Sequence, residues 1–391
     1  TPTTSSAASD VYKRQKKGLL EFTSDLKAGV EHGDILFIAV GTPPLPTGES
    51  DTRYVEAVAK GIGAHLTTGY KVIVNKSTVP IGSGDWVRRI VLDGFEERKP
   101  KEGEAGIEIE AEFDVVSNPE FLREGSAIFD TFNPDRIVLG SNSQRALDMM
   151  QELYTPLVER KYGDDESLPP VPMVVTDLNS AEMIKYAANS FLATKISFVN
   201  EIANICDRVG ADVTQVSKGI GLDSRIGNKF LQAGIGWGGS CFPKDISALV
   251  HTADDYGCEA QLLKAAVEVN RRQRMIVVDK LQQFLKILNG KTIGLLGLTF
   301  KPDTDDMRDA PSLDLIQELN RLGAKVKAYD PIISQSGMRD GLTGVLVETD
   351  PERLADSCDA LVLVTDWEQF RKLDYQLSLI HISEPTRRNS I

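Results

Sequence analysis

The sequence predicts an α/β protein with two doubly wound domains on either side of a helical middle, and three observations carry that expectation. Short apolar runs that read as buried strands recur at Asp34 to Val40, Lys71 to Ser77, Asp114 to Ser117, Arg136 to Gly140 and Met173 to Thr176. Helical patterns such as Tyr54 to Leu66 and Arg145 to Val158 lie between several of them. From Asn179 to Gly210 the apolar period turns helical, and a second long helical pattern runs from Glu259 to about Leu288. Alternation then returns at Thr292 to Leu298, Lys325 to Asp330 and Ala360 to Thr365. Strands separated by helices build parallel, doubly wound sheets. This gives α/β domains at 16–177 and 289–376 around a helical region at 178–288.

Both ends are expected to lie outside the fold. Asp10 to Gln15 and Leu377 to Ile382 can be written in codons that are antisense copies of each other, as translated library adapters would be, so 1–15 and 377–391 are set aside as non-native tails. The chain between them reads as cut at both ends.

Charge and cysteine usage narrow the function classes. The 391 residues carry 44 basic and 57 acidic side chains, a net charge of −13, which argues against nucleic acid and anionic membrane as partners. Cys206, Cys241, Cys258 and Cys358 lie far apart without a C-x-x-C pair, and no apolar run approaches the roughly 18 residues of a membrane span. A reduced, soluble, cytoplasmic protein without a cysteine-based metal site is expected. His32, His65 and His251 have no metal-like spacing, so acid–base chemistry falls to Glu, Asp or Lys.

The most informative stretch is Gly238-Gly239-Ser240-Cys241-Phe242-Pro243-Lys244-Asp245. Glycines let a backbone approach a ligand closely, proline stiffens the exit, and a nearby ammonium favours a nucleophilic sulfur. Other polar groups gather at the carboxyl ends of the first strands, where open α/β sheets bind ligands. These are Gly41-Thr42-Pro43-Pro44, Lys76-Ser77-Thr78-Val79-Pro80 and Ser117-Asn118-Pro119-Glu120-Phe121-Leu122-Arg123-Glu124-Gly125. Lys185 and Asn189 share a face of a helix that is apolar nearly all round, which argues burial and a need for partners. Arg225 and Lys229 suit an anionic substrate, and suit a solvated charge pair as well. No strand is followed by G-x-G-x-x-G. Gly61-Ile62-Gly63 falls in a helical pattern, Gly294 and Gly297 within a strand, and Gly234 to Gly238 after no strand. A fingerprint would lie ahead of Lys16 with the opening βαβ unit, and a chain lacking it is expected to hold a dinucleotide weakly.

Six of these motifs occur in the same order in the nucleotide-sugar 6-dehydrogenases, which the chain resembles over Lys16 to Gln376, most closely the bacterial UDP-glucose enzymes. They are Ala39 to Pro44, Lys76 to Pro80, Asn118 to Gly125, Glu182 to Asn189, Arg225 to Leu231 and Gly238 to Asp245, with Phe300 to Asp306, Arg308 and Tyr329 to Pro331 extending the match. The resemblance implies two Rossmann-like domains and an NAD-dependent, four-electron oxidation of the C6 alcohol of UDP-glucose to the carboxylate of UDP-glucuronate. It implies that Cys241 captures the intermediate aldehyde as a thiohemiacetal that becomes a thioester. Lys185 would stabilise the oxyanion, Asn189 would position substrate, Thr78 and Asp245 would hold a water, and Glu120 would be the base for thioester hydrolysis. Sugar-nucleotide contacts would come from Phe121, Leu122, Phe230, Leu231, Gln232, Ala233, Gly234, Gly238, Phe300 and Lys301. Arg225 would reach the substrate of a neighbouring subunit, in a homodimer or higher homo-oligomer built on the long central helices. Thr42, Lys76, Thr78, Glu124, Lys244 and Arg308 would face NAD. A dehydrogenase of GDP-mannose or of a UDP-N-acetylhexosamine, or an inactive fragment, are the alternatives.

Overall fold

The computed structural model describes residues 11–97, 110–161, 168–336, 341–356, 358–373 and 381–382. Most of the charged stretch 96–112, expected to be an exposed excursion, lies outside the described residues, as do 1–10 and 383–391. The chain divides into two compact units, the described parts of Thr1–Thr42, Asp51–Glu120 and Asn133–Glu182 forming one, and those of Pro43–Ser50, Phe121–Phe132 and Met183–Ile391 the other.

The first unit contains α1 (Leu26–His32), β1 (Ile35–Ile38), α2 (Arg53–His65), β2 (Thr68–Asn75), α3 (Ser83–Glu96) and β3 (Glu110–Ser117). After α4 (Ala127–Phe132), which belongs to the second unit, come β4 (Ile137–Gly140), α5 (Gln144–Val158) and β5 (Met173–Thr176). Strand order is β1-β2-β3-β4-β5. Successive residues of a strand point to opposite faces, and both faces of the middle of the sheet are covered, which is why the strands read as apolar runs, while Phe37 of β1 and Val174 and Val175 of β5 are exposed. Ile38, Ile73 and Val115 pack with Val55, Ala59 and Ile62 of α2 and Val87 and Val91 of α3. Their neighbours Val72, Val74 and Val116 pack instead with Leu139 and with Ala146, Leu147 and Met150 of α5.

One step departs from the expected parallel sheet. β3 and β4 pair antiparallel, Ser117 opposite Gly140, while β1-β2-β3 and β4-β5 are parallel among themselves. Side chains complete the junction: Asn118 Nδ2 donates to Val138 O at 2.8 Å and Ser141 Oγ donates to Val115 O at 2.7 Å. Between β3 and β4 no helix of this unit crosses the sheet. The chain therefore re-enters at the rim it left, and the next strand must run backwards.

The unit boundary falls inside α6 (Leu178–Val209). The second unit continues with α7 (Val213–Gly221), α8 (Phe242–Asp255), α9 (Gln261–Leu285), β6 (Thr292–Leu296), α10 (Pro311–Arg321), β7 (Lys325–Tyr329), α11 (Ile333–Ser336), β8 (Val345–Val347), α12 (Pro351–Ala355), β9 (Ala360–Leu363) and β10 (His381–Ile382). All pairs of its sheet are parallel, in the order β10-β9-β6-β7-β8. This is the doubly wound arrangement, with its switch point between β6 and β9. Ile293, Leu295, Val326 and Val362 face α10 and α9 on one side, and Leu296, Tyr329 and Leu361 pack with Trp367 and Phe370 on the other. Gly297 lies just past β6 rather than within it, at φ +93, where a Cβ would fall 2.4 Å from Thr365 Cβ. The helical middle and the closing α/β part, separate by sequence pattern, thus cluster as one unit. His381 and Ile382, within the segment set aside as a tail, pair with Leu361 and Val362; an open parallel edge accepts any short β-prone segment.

Asp330, directly after β7, is fully buried. Its carboxylate accepts from the backbone N–H groups of Leu298, Thr299, Ile332 and Ile333, from Thr299 Oγ1 and from Trp367 Nε1. One side chain thereby fixes the turn after β6 to the end of β7.

Candidate active site

Within the second unit, the loop ahead of α8 is pressed against the segment that follows β6. The Gly239 N–H donates to Arg308 O at 2.9 Å. At φ +87, a Cβ on Gly239 would stand 2.7 Å from the Phe300 ring, and one on Gly238 would stand 2.1 Å from Asp309 O. Only glycine permits so close an approach, so the G-G-S-C pattern follows from packing as well as from chemistry. Cys241 is the N-cap of α8, with Pro243 in the first turn. That end of a helix favours negative charge.

The thiol is part-buried and reduced, its Sγ 3.6 Å from Ser240 Oγ. Ser240 Oγ donates to Glu124 Oε1 at 2.8 Å, and Arg308 Nη2 lies 3.3 Å from that oxygen and 2.8 Å from Asp306 Oδ2. Lys301 Nζ donates to Glu124 O at 2.6 Å. Burial raises the Glu124 carboxyl, with the adjoining Asp306 carboxylate adding to the effect. Burial lowers the Lys301 ammonium, and the hydrogen bond to Asp306 raises the Arg308 guanidinium. Lys301 and Arg308 both interact electrostatically with Cys241. Lys244, which adjacency in sequence placed beside the thiol, is bound to Asp245 Oδ1 at 2.5 Å. Asp245 is buried in the first turn of α8, and its other oxygen accepts from Asn189 Nδ2 at 2.5 Å.

The buried helix face holds as expected. Lys185 is only 3% exposed, its ammonium 5.4 Å over the Phe121 ring, a cation–π contact that compensates burial. Glu182, from the same motif, belongs to the first unit. There it accepts from Gly82 N, Gly84 N and Ser117 Oγ at 2.7–2.9 Å, anchoring the start of α3 to β3.

The remaining expected substrate residues are spread along the second unit. Leu122 and Gln232 are exposed, Leu231 and Ala233 are buried, and Phe230, at φ +64, meets the Phe242 ring at 6.4 Å. Gly234 accepts from Gln273 Nε2 and donates to Asn200 Oδ1. Arg225 is 87% exposed and forked onto Asp223, with Nη2 2.6 Å from Oδ2.

Four expected residues, Thr42, Lys76, Thr78 and Glu120, belong to the first unit. Thr42 Oγ1 donates to Thr78 O at 2.8 Å. Lys76 Nζ donates at 3.0 Å to Asn118 Oδ1, which also accepts from Tyr154 OH, a phenol pushed up to about 12 by burial. Both amide atoms of Asn75, at the carboxyl end of β2, are buried without a partner. A polar rim with an unused amide fits the binding of a nucleotide cofactor there.

Sequence reasoning missed Ser240, Asn118 and Tyr154 as partners, together with Asn270, Gln273 and Arg274 of α9. The last three recur at i, i+3 and i+4, a signal that a polar, solvent-facing stripe would give equally.

Comparison with known proteins decides the family. The UDP-glucose/GDP-mannose dehydrogenase family matches through its NAD binding domain over residues 2–158, its central domain over 179–272 and its UDP binding domain over 294–385. The UDP-glucose 6-dehydrogenase TuaD of Bacillus subtilis is 51% identical over 91% of this chain and 72% of its own length. The chain belongs to the UDP-glucose/GDP-mannose dehydrogenase family. Another member, the UDP-glucose 6-dehydrogenase of Rhizobium meliloti, is 46% identical over 92% of this chain and 77% of its own. The UDP-glucose dehydrogenase of the archaeon Pyrobaculum islandicum superposes with a TM-score of 0.85 at 36% identity, covering 95% of this chain and 81% of its own. As a member of this family the protein is an NAD-dependent dehydrogenase of a nucleotide sugar. Among the described residues no helix is long and apolar enough to cross a membrane.

Proposed function

We propose that the protein oxidises UDP-glucose to UDP-glucuronate in two hydride transfers through a covalent intermediate on Cys241. The observation that carries this reading is a thiol at a helix N-cap, on a glycine loop packed against Phe300. A two-electron alcohol oxidation would need no such sulfur. Thr42, Lys76 and Thr78 at the rim of the first unit would hold NAD, which would supply the hydride acceptor for both oxidations. The first removes hydride and proton from C6 and its hydroxyl, giving an aldehyde. Cys241 Sγ then bonds to C6 while the carbonyl oxygen takes a proton, giving a thiohemiacetal. Loss of the remaining C6 hydride and the hydroxyl proton gives a thioester. Water adds, the C–S bond breaks, and carboxylate and thiol are released.

The roles of the other residues follow their chemistry. Lys185, a buried cation, stabilises oxyanions at C6. Asn189, held by Asp245, orients the sugar, and Asp245 and Thr78 are each assigned to binding water for proton transfer. Glu120 is the base for thioester hydrolysis. Lys301 and Phe300, beyond the carboxyl end of β6 at the switch point of the second sheet, contact the sugar nucleotide. Arg225 serves a neighbouring subunit in a homodimer, which its exposure allows. Four free cysteines fit a reducing cytoplasm.

The test is stoichiometry and product. Two NADH released per UDP-glucose, with UDP-glucuronate as product and GDP-mannose or UDP-N-acetylhexosamines left unoxidised, are expected. One NADH with free aldehyde would overturn the thiol mechanism. Preferential oxidation of another nucleotide sugar would overturn the substrate.

A further inference from the structure

The loop ending at Cys241 is fixed from behind by three side chains of α9 that no reaction motif includes. Asn270, Gln273 and Arg274 share one face of the helix and are 4%, 2% and 5% exposed. Their polar atoms are directed at loop backbone. Gln273 Nε2 donates to Gly234 O at 2.8 Å. Asn270 reads both sides of one residue, accepting from Trp237 N at 2.8 Å and donating to Trp237 O at 2.9 Å.

Arg274 reaches further. Nη2 donates to the same Trp237 carbonyl at 2.7 Å, to Asp309 O at 3.1 Å and to Asp309 Oδ2 at 3.0 Å. Nη1 donates to Asp314 Oδ2 at 2.5 Å and to Asp309 Oδ1 at 3.3 Å. Asp309 adopts φ +49, a conformation unusual for a residue with a side chain, and Asp314 lies in the first turn of α10. One planar guanidinium thereby joins the thiol loop, the end of the segment carrying Phe300, Lys301 and Arg308, and the helix that follows. Replacing a buried ion group by apolar side chains often leaves stability unchanged, so stability alone gives no reason for a fork shared by three segments. Geometry gives one, because a fork fixes direction as well as distance.

We propose that Arg274 is a positioning residue that sets the spacing between Cys241 and the sugar-nucleotide segment, so that sulfur and C6 meet. The proposal rests on the thiol mechanism above. Arg274→Lys keeps the charge and loses the fork. Alkylation of Cys241 by iodoacetamide, followed on its own peptide by mass spectrometry, should accelerate about tenfold, the response to one lost charged hydrogen bond. With the melting curve little changed, kcat should fall about 100-fold and KM for UDP-glucose stay within about threefold, as for a misplacement on the order of 1 Å. Guanidinium added to Arg274→Ala should restore part of the rate. A folded Arg274→Lys with parental alkylation and parental kcat overturns the proposal. Should that variant unfold, Asp314→Asn, which alters the half-exposed partner, decides in its place, and parental values there overturn it too. Alkylation needs neither cofactor nor turnover. Failure of the clamp is thereby distinguished from failure of the thiol mechanism, which NADH stoichiometry of the parent reads.

Discussion

Cys241 is only part-buried, and its sulfur meets the hydroxyl of Ser240 rather than an apolar core, so removing it opens no sizeable cavity. Cys241→Ala should abolish UDP-glucuronate formation while shifting unfolding by less than about 1 kcal/mol. Acid production near the parental rate would make the cysteine structural. Asp130 is the opposite case, a carboxylate that acts through the fold. It accepts from Arg123 N at 2.8 Å, from the Arg123 guanidinium and from Ser126 Oγ, and the guanidinium holds its carboxyl below the usual range. A lowered pKa contributes stability above the unfolded value of about 4 that is lost as pH falls through the folded one. The penalty of Asp130→Asn in thermal midpoint should therefore be full at neutral pH and shrink below about pH 4; a penalty constant with pH would contradict the assignment. At this scale the sequence was informative where chemistry needs adjacency. Gly238 to Asp245 is contiguous, and so was legible, whereas Glu124 reaches Ser240 across more than a hundred residues. Arg274 was hidden because its spacing on α9 looks the same whether the face is buried or wet.

Most strands that are apolar on both faces were legible, but β8 (Val345–Val347) was not, because three residues are too short to show a period. β1, β2, β6, β7 and β9 fall on the expected runs, and α6 and α9 follow the two helical stretches to within a few residues. Strand direction was not legible, because a four-residue apolar run such as Ile137–Gly140 carries no polarity; direction is set by where the preceding connection returns. Helix packing offers a sharper test. Gly63 of α2 faces Val91 O of α3 so closely that a Cβ would fall 2.1 Å from the oxygen, and Gly94 opposes Lys60 O in the same way. Neither carbonyl can rotate aside, so Gly63→Ala should force the helices apart and cost about 2–3 kcal/mol. A thermal midpoint equal to the parent's would show the crossing to be looser than described. The Gly61-Ile62-Gly63 pair thus serves helix contact rather than phosphate, as its helical setting implied.

At the scale of the molecule, two units carry separate cores, and the expected site residues divide unequally, four in the first unit and the rest in the second, Glu124, Lys244 and Arg308 among them. Hydrogen exchange should respond to each ligand separately. NAD should protect amides near Thr42, Lys76 and Thr78, and UDP-glucose those of Leu298 to Lys301, because a ligand stabilises the structure it binds. Protection by UDP-glucose confined to the first group would reverse the assignment of the two sheets. Asp330 adds a consequence for how that division is kept. In dinucleotide-binding sheets the acid that follows the second strand offers its oxygens to an adenosine ribose. Asp330 directly follows the second strand of its own sheet, β7, and its carboxylate oxygens are taken up by backbone, threonine and indole donors. A carboxylate so occupied cannot recognise a sugar diol. The closing sheet, alike in topology to a dinucleotide fold, therefore does not offer this carboxylate to the adenosine ribose of a dinucleotide.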